Sequence, residues 1–96
     1  MPDAEDAPEG FEWDVEKAAA NLEKHGVDFH QATRVWEDPK VMFLQDEAHS
    51  EAEERLFAVG LSDGEVLTVR FTYRDGRKRI IGAGAWRKGR RQYAGR

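Results

Sequence analysis

The sequence predicts an α+β fold in which two N-terminal helices pack on an antiparallel β-meander and a short basic helix closes the chain. Three observations carry this. Apolar residues from Val15 to Trp36 recur at helical spacing and stop at Pro39. Apolar runs follow at 41–44, 56–61, 66–73 and 78–83. The last three runs are separated by Ser-Asp-Gly-Glu and Arg-Asp-Gly-Arg, and Asp-Gly between such runs signals a two-residue hairpin turn. Helices followed by strands, without alternation, define the α+β class.

Residues 1–10 are acidic, lack periodicity and carry two prolines, so they read as a disordered lead-in to a single domain over 11–96. Phe11 and Trp13 alternate with Glu12, which suggests a short strand or extended anchor. Asp14 caps the first helix, whose stripe is Val15, Ala18, Ala19 and Leu22. Lys24 and His25 suit its negative C-terminal end, and Gly26 suits the residue just past it. Asp28 and Gln31 form a variant capping box for a second helix, with Val27 and Ala32 as its staple. Phe29, Ala32, Val35 and Trp36 make its apolar face. The stretch from Trp86 to Arg91 reads as the terminal basic helix, weakened by Gly89.

A chain of 96 residues buries roughly 60–65% of its unfolded surface, enough for one modest core. It contains no cysteine, which excludes disulfides, thiolate catalysis and cysteine–zinc sites. No apolar run reaches the ~18 residues of a membrane helix, and the acidic N-terminus is no secretory signal, so no membrane is expected and a cytoplasmic location is the default. The net charge of −4 is strongly polarised. Residues 1–65 hold 5 Lys/Arg against 18 Asp/Glu, whereas 66–96 hold 10 against Asp75 alone. An anionic partner for the C-terminal half, or internal neutralisation, accounts for that.

Two-residue turns fix the strand register. Arg74 then faces Arg77, Tyr73 faces Lys78 and Thr72 faces Arg79. Leu61 faces Val66, Phe57 faces Arg70 and Arg55 faces Thr72. Leu56, Ala58, Leu67, Val69, Phe71 and Ile80 share the face that packs on the helices. Arg55, Arg70, Thr72 and Arg79 share the other. A row of arginines is costly unless answered, either by Asp46, Glu51, Glu53 or Glu54, or by phosphate. No two of His25, His30 and His49 share a metal-ligand spacing, and no P-loop, GxGxxG or GxSxG occurs, so neither metal nor cofactor is called for.

The motifs resemble the BrnT family of toxins over about residues 11–93. Phe11-Glu12-Trp13-Asp14 with Asn21 and Lys24-His25-Gly26-Val27 resembles its start. Trp36-Glu37-Asp38-Pro39, His49-Ser50 with Glu53-Glu54-Arg55, and Tyr73-Arg74 with Arg79-Ile80-Ile81 are similar to its later segments. The resemblance implies the toxin half of a type II toxin–antitoxin pair and a RelE-like ribonuclease fold. It also implies translation arrest through RNA cleavage, and a DNA-binding, BrnA-like antitoxin that carries the complex to operator DNA. The ending departs from the family pattern. Gly82 and Gly84 stand for a serine and an arginine, and Trp86-Arg87-Lys88-Gly89-Arg90-Arg91 replaces a basic helix containing a glutamate.

RNA cleavage by its own 2′-OH needs a base, an acid and positive charge for the phosphorane. His25 and His49 are the expected acid and base, and Arg55 and Arg79 the expected catalytic cations. Lys24, Arg70, Arg74, Arg87, Lys88, Arg90 and Arg91 supply further charge for RNA, while Trp86 or Tyr93 stacks on an unpaired base. The alternative is a non-catalytic RNA- or protein-binding module, an inactive toxin homologue that keeps its antitoxin contact.

Overall fold

The computed structural model describes residues 2–49 and 54–95, with the side chain of His49 outside the described set. Ser50, Glu51 and Glu53, named above, also lie outside it. The elements are β1 (Phe11–Glu12), α1 (Val15–His25), α2 (Phe29–Thr33), a 3-10 turn (Arg34–Glu37), β2 (Met42–Gln45), a second 3-10 turn (Glu47–His49), β3 (Leu56–Ser62), β4 (Glu65–Arg74), β5 (Arg77–Gly84) and α3 (Arg87–Ala94). The fold is α+β with one five-stranded sheet in the order β1-β5-β4-β3-β2. Strands β2 to β5 form the expected antiparallel meander. The sheet as a whole is mixed, because β1 pairs parallel to β5, setting Phe11 beside Lys78 and Glu12 beside Arg79.

Both hairpins turn on Asp-Gly. Asp63 and Gly64 have φ of 52° and 80°, and Asp75 and Gly76 have 53° and 78°. Positive φ at both central residues is the type I′ turn, whose twist matches that of the strands. The turns impose the registers read above, including Phe57↔Arg70 and Thr72↔Arg79. A bulge then intervenes. Phe71 pairs with Ile80 but Arg70 pairs with Gly82, leaving Ile81 as the extra residue. The slip puts both Ile80 and Ala83 into the core, at 1% and 0% exposure.

The core lies on one sheet face, where Ala58, Leu67, Val69, Phe71, Ile80 and Ala83 meet Trp13, Val27, Phe29, Ala32 and Val35. Helix α1 begins at Asp14, which accepts from the amides of Glu16 and Lys17, and ends at Gly26 in the left-handed region. Of its expected apolar stripe Ala18 packs on the core, while Val15 and Leu22 are exposed. The helix instead buries Asn21. The Asn21 amide donates to Val27 O at 3.0 Å and Ala83 O at 2.9 Å, and its oxygen accepts from Ala83 N at 3.1 Å. Ala83 lies beyond the last β1–β5 pair, so its outward peptide groups lack a strand partner there, and the side-chain amide supplies one.

The second helix was expected to run to Pro39. It gives way at Arg34 to a 3-10 turn. Thr33 Oγ1 donates to His30 O at 2.7 Å, a backbone contact that competes with regular helix. Asp28 caps through the His30 amide, and Val27 and Ala32 are buried as a staple requires.

Residues 2–10, the acidic lead-in, lie against the body. Ala4 N donates to Trp13 O, Val15 N to Pro2 O and Phe11 N to Pro8 O. Ala4 and Ala7 pack on the core. The ordering of this acidic stretch comes from cations and backbone groups elsewhere in the chain, which composition does not reveal.

Candidate functional site

Alternation along the strands turns Phe57, Val59, Thr68, Arg70 and Thr72 away from the core helices, onto the second face. Helix α3 lies on that face. Two glycines let it approach. A Cβ at Gly89 would lie 1.9 Å from Thr68 Oγ1, and one at Gly84 would lie 2.5 Å from the Trp86 indole. Gly89, read as a weakness of the helix, is thus the residue that seats it. Tyr93 near the end of α3 donates its hydroxyl to Asp38 Oδ2 at 2.5 Å. Asp38 also accepts from the amides of Lys40 and of Leu61, a residue just beyond the last β2–β3 pair.

Between α3, β2, β3 and β4 lies a cavity of about 560 Å³. Its floor is apolar, from Leu44, Phe57 and Val59. Trp86 and Gly89 form one wall, Arg70 and Lys88 bring positive charge, and Gln45, Glu47 and Gln92 add amides and a carboxylate. The Arg70 guanidinium sits 5.7 Å over the Phe57 ring, and its Nε lies 3.4 Å from the buried carboxylate of Asp46. Such stacking holds the planar group in place. The arrangement combines aromatic surface with two cations in one concavity, which suits a ligand carrying both a flat ring and an anion.

Of the residues named from sequence, Arg70, Trp86 and Lys88 meet at this cavity. His25 is exposed and stands edge-on to Trp86, with ring centroids 5.2 Å apart. Lys24, in the same last turn of α1, is exposed. Arg55 leads into β3, half-buried, and its carbonyl accepts from Asp46 N at 2.8 Å. His49 ends the turn that begins at the lining residue Glu47. Arg87, Arg90 and Arg91 are exposed on α3, where Arg90 also donates to Ala85 O. Tyr93 is not at the cavity; its hydroxyl is committed to Asp38.

Arg79 and Arg74 lie further along the second face. The expected partners for the arginine row were Asp46 and the acids after it. Asp46 does pair with Arg70, but Arg79 is held by Asp3 and Glu12. Its Nη2 is 2.9 Å from Asp3 Oδ1, and its Nη1 is 3.1 Å from Asp3 Oδ2 and 2.6 Å from Glu12 Oε2. The parallel β1–β5 pairing places Glu12 directly beside Arg79, and that pairing was not read from the sequence. Hydrogen bonds to Asp3 and then Glu12 raise the Arg79 guanidinium above its usual value, against the opposing effect of burial. The hydrogen bond from Arg79 holds the Asp3 carboxyl below its usual range. Among the described residues, no three His, Cys, Asp or Glu side chains are grouped as metal ligands would be, and no helix is long and apolar enough to cross a membrane.

The family model for the ribonuclease toxin BrnT of type II toxin–antitoxin systems matches residues 13–89. The chain belongs to the BrnT family. A search of curated proteins found no match. The span matched to BrnT contains the core, all of the meander and the first turn of α3, and so includes His25, Arg55, Arg70, Arg79, Trp86 and Lys88. The BrnT description carries ribonuclease activity and implies an antitoxin partner. Asp3 and Tyr93 lie outside the matched span.

Proposed function

We propose that this chain is the toxin of a type II toxin–antitoxin pair and cuts single-stranded RNA, without a metal ion, at the cavity between α3 and the second sheet face. The observation that carries this reading is the convergence of Arg70, Lys88, Trp86 and Phe57 on one concavity in a BrnT-family chain. An unpaired base stacks on the aromatic surface, and the adjoining phosphate lies between the two cations. The 2′-oxygen then forms a bond to phosphorus while the bond from phosphorus to the 5′-oxygen breaks. The products are a 2′,3′-cyclic phosphate and a 5′-hydroxyl. One group accepts the 2′-OH proton and another protonates the leaving oxygen. His25, beside Trp86, and His49, two residues past Glu47, are the candidates for these two roles. Arg55 adds charge at the edge of β3.

Cleavage of cellular RNA by this route arrests translation. The fold order, helices and then a meander, supports kinship with RelE-like ribonucleases. The antitoxin is BrnA-like, blocks the second face in the resting cell and carries the complex to operator DNA. Incubation of the pure protein with RNA in EDTA tests the enzyme: fragments with 2′,3′-cyclic ends are expected. Intact RNA that nevertheless shifts with the protein on a gel identifies a binding module instead.

A further inference from the structure

Arg70 and Arg79 occupy one face of adjacent strands. Arg79 pairs with Thr72, and Thr72 is the next residue after Arg70 on that face of β4. Diagonal neighbours on a sheet stand about 7–8 Å apart, within the reach of two successive phosphates on an extended strand. The end of the Arg79 guanidinium, with Nη1 and Nη2 side by side, is the fork that binds phosphate bidentately. Here that fork holds the two oxygens of Asp3.

The acids on this face differ in how firmly they are built in. Asp46 and Glu12 are 5% and 14% exposed, and each is placed by a strand or a strand end. Asp3 is 49% exposed, and its segment is held by the amide of Ala4, the carbonyl of Pro2 and the packing of Ala4 and Ala7, none of which uses the Asp3 side chain. It is the one carboxylate of the three that can leave without dismantling the sheet.

We propose that Arg79 is a second phosphate-binding subsite for the RNA strand, and that Asp3 fills it with a carboxylate when RNA is absent. The inference rests on reading the second face as the RNA-cleaving surface. RNA reaches the subsite by displacing Asp3, while Glu12 stays on Nη1 and keeps the guanidinium oriented. The Asp3 carboxylate thereby acts as a plug that lowers affinity in proportion to the fraction of chains in which it is engaged. Strands that extend past the cavity by one phosphate compete with it, and shorter ones do not.

The test is equilibrium binding of 2′-O-methyl oligonucleotides, which cannot be cleaved, in two lengths. Asp3→Asn should tighten binding of the longer strand by about twofold to fivefold, the range expected from an exposed ion pair. It should also steepen the salt dependence by roughly 0.7 in the log–log slope, one added single-strand phosphate contact. The shorter strand should be unaffected. In an Arg79→Gln background, which removes the charge, Asp3→Asn should leave the salt slope unchanged. If Asp3→Asn changes only the melting temperature and leaves affinity and slope at parental values, while Lys88→Ala weakens binding, the pair is structural and the subsite is refuted with the RNA reading intact. If no form of the protein binds either strand, both readings fall together.

Discussion

Gly89 of α3 rests so close to Thr68 of β4 that a methyl group in its place would lie 1.9 Å from the threonine hydroxyl. Alanine is the better helix former by about 1 kcal/mol, yet overpacking a close contact costs about 1–3 kcal/mol. Gly89→Ala should therefore destabilise the protein and displace α3, with loss of RNA cleavage. Thr68→Ala in the same chain removes the nearest atom and should restore part of the stability, a coupling that a thermal-denaturation double-mutant cycle reads directly.

Tyr93→Phe keeps the ring and removes one hydrogen bond to the buried Asp38 carboxylate. A loss of about 1.5–3 kcal/mol is expected from denaturant titration, with affinity for short RNA unchanged. Weaker RNA binding at parental stability would put Tyr93 on the RNA instead.

Lys88 and Arg70 both bring charge to the cavity, but they call for different variants. Arg70→Ala removes a cation held 3.4 Å from the buried Asp46 carboxylate, so its effect on RNA would be confounded with a loss of stability. Lys88 is exposed, and Lys88→Ala should weaken RNA binding at all sequences while lowering the salt slope by roughly 0.7. An unchanged slope removes Lys88 from the phosphate contacts.

If His25 and His49 are the acid–base pair, alanine at either should slow single-turnover cleavage by about 10²–10⁴ with little change in affinity. Cleavage at the parental rate by the His25 variant would leave that residue only its edge contact with Trp86.

The Asp3 carboxyl ionises more readily in the folded chain than its usual value of 3.8 because Arg79 donates to it. A lowered folded value means that the ion pair contributes stability above pH 3.8 and that the contribution fades as pH falls through the folded value. The melting temperatures of the parent and Asp3→Asn should thus differ at pH 7 and converge as the pH falls below 3.8 and through the lowered folded value. A constant difference would show that the contact is not ionic.

The meander was legible because Asp-Gly fixes turn type, turn type fixes register, and register assigns every side chain to a face. Phe57 opposite Arg70 and Thr72 opposite Arg79 follow from two dipeptides. What escaped the sequence was mostly long-range. The β1–β5 pairing sets Glu12 on Arg79 across 67 positions, and no local pattern encodes it. The bulge at Ile81, which lets both Ile80 and Ala83 be buried, has no signal in the strand's own residues. Asn21 looked like a polar residue beside an apolar stripe, whereas its amide completes the hydrogen bonding of β5. At the cavity, charge pointed to Arg70 and Lys88 and aromaticity to Trp86. Gln45, Glu47 and Gln92 carry no pattern that singles them out, and Gly89 had one readable signal, a glycine inside a short basic helix.

The wall of the cavity is made last. Chains grow from their N-terminus at about 5–20 residues per second, so β3 is complete some seconds before Arg87–Ala94 exists. Until those residues are present β1 lacks nothing but β5 to pair with, whereas the cavity lacks Trp86, Lys88 and Gly89 of its lining. The enclosed site comes into being only when α3 settles onto Thr68, so the concavity around Arg70 depends on the last element of the fold to be made.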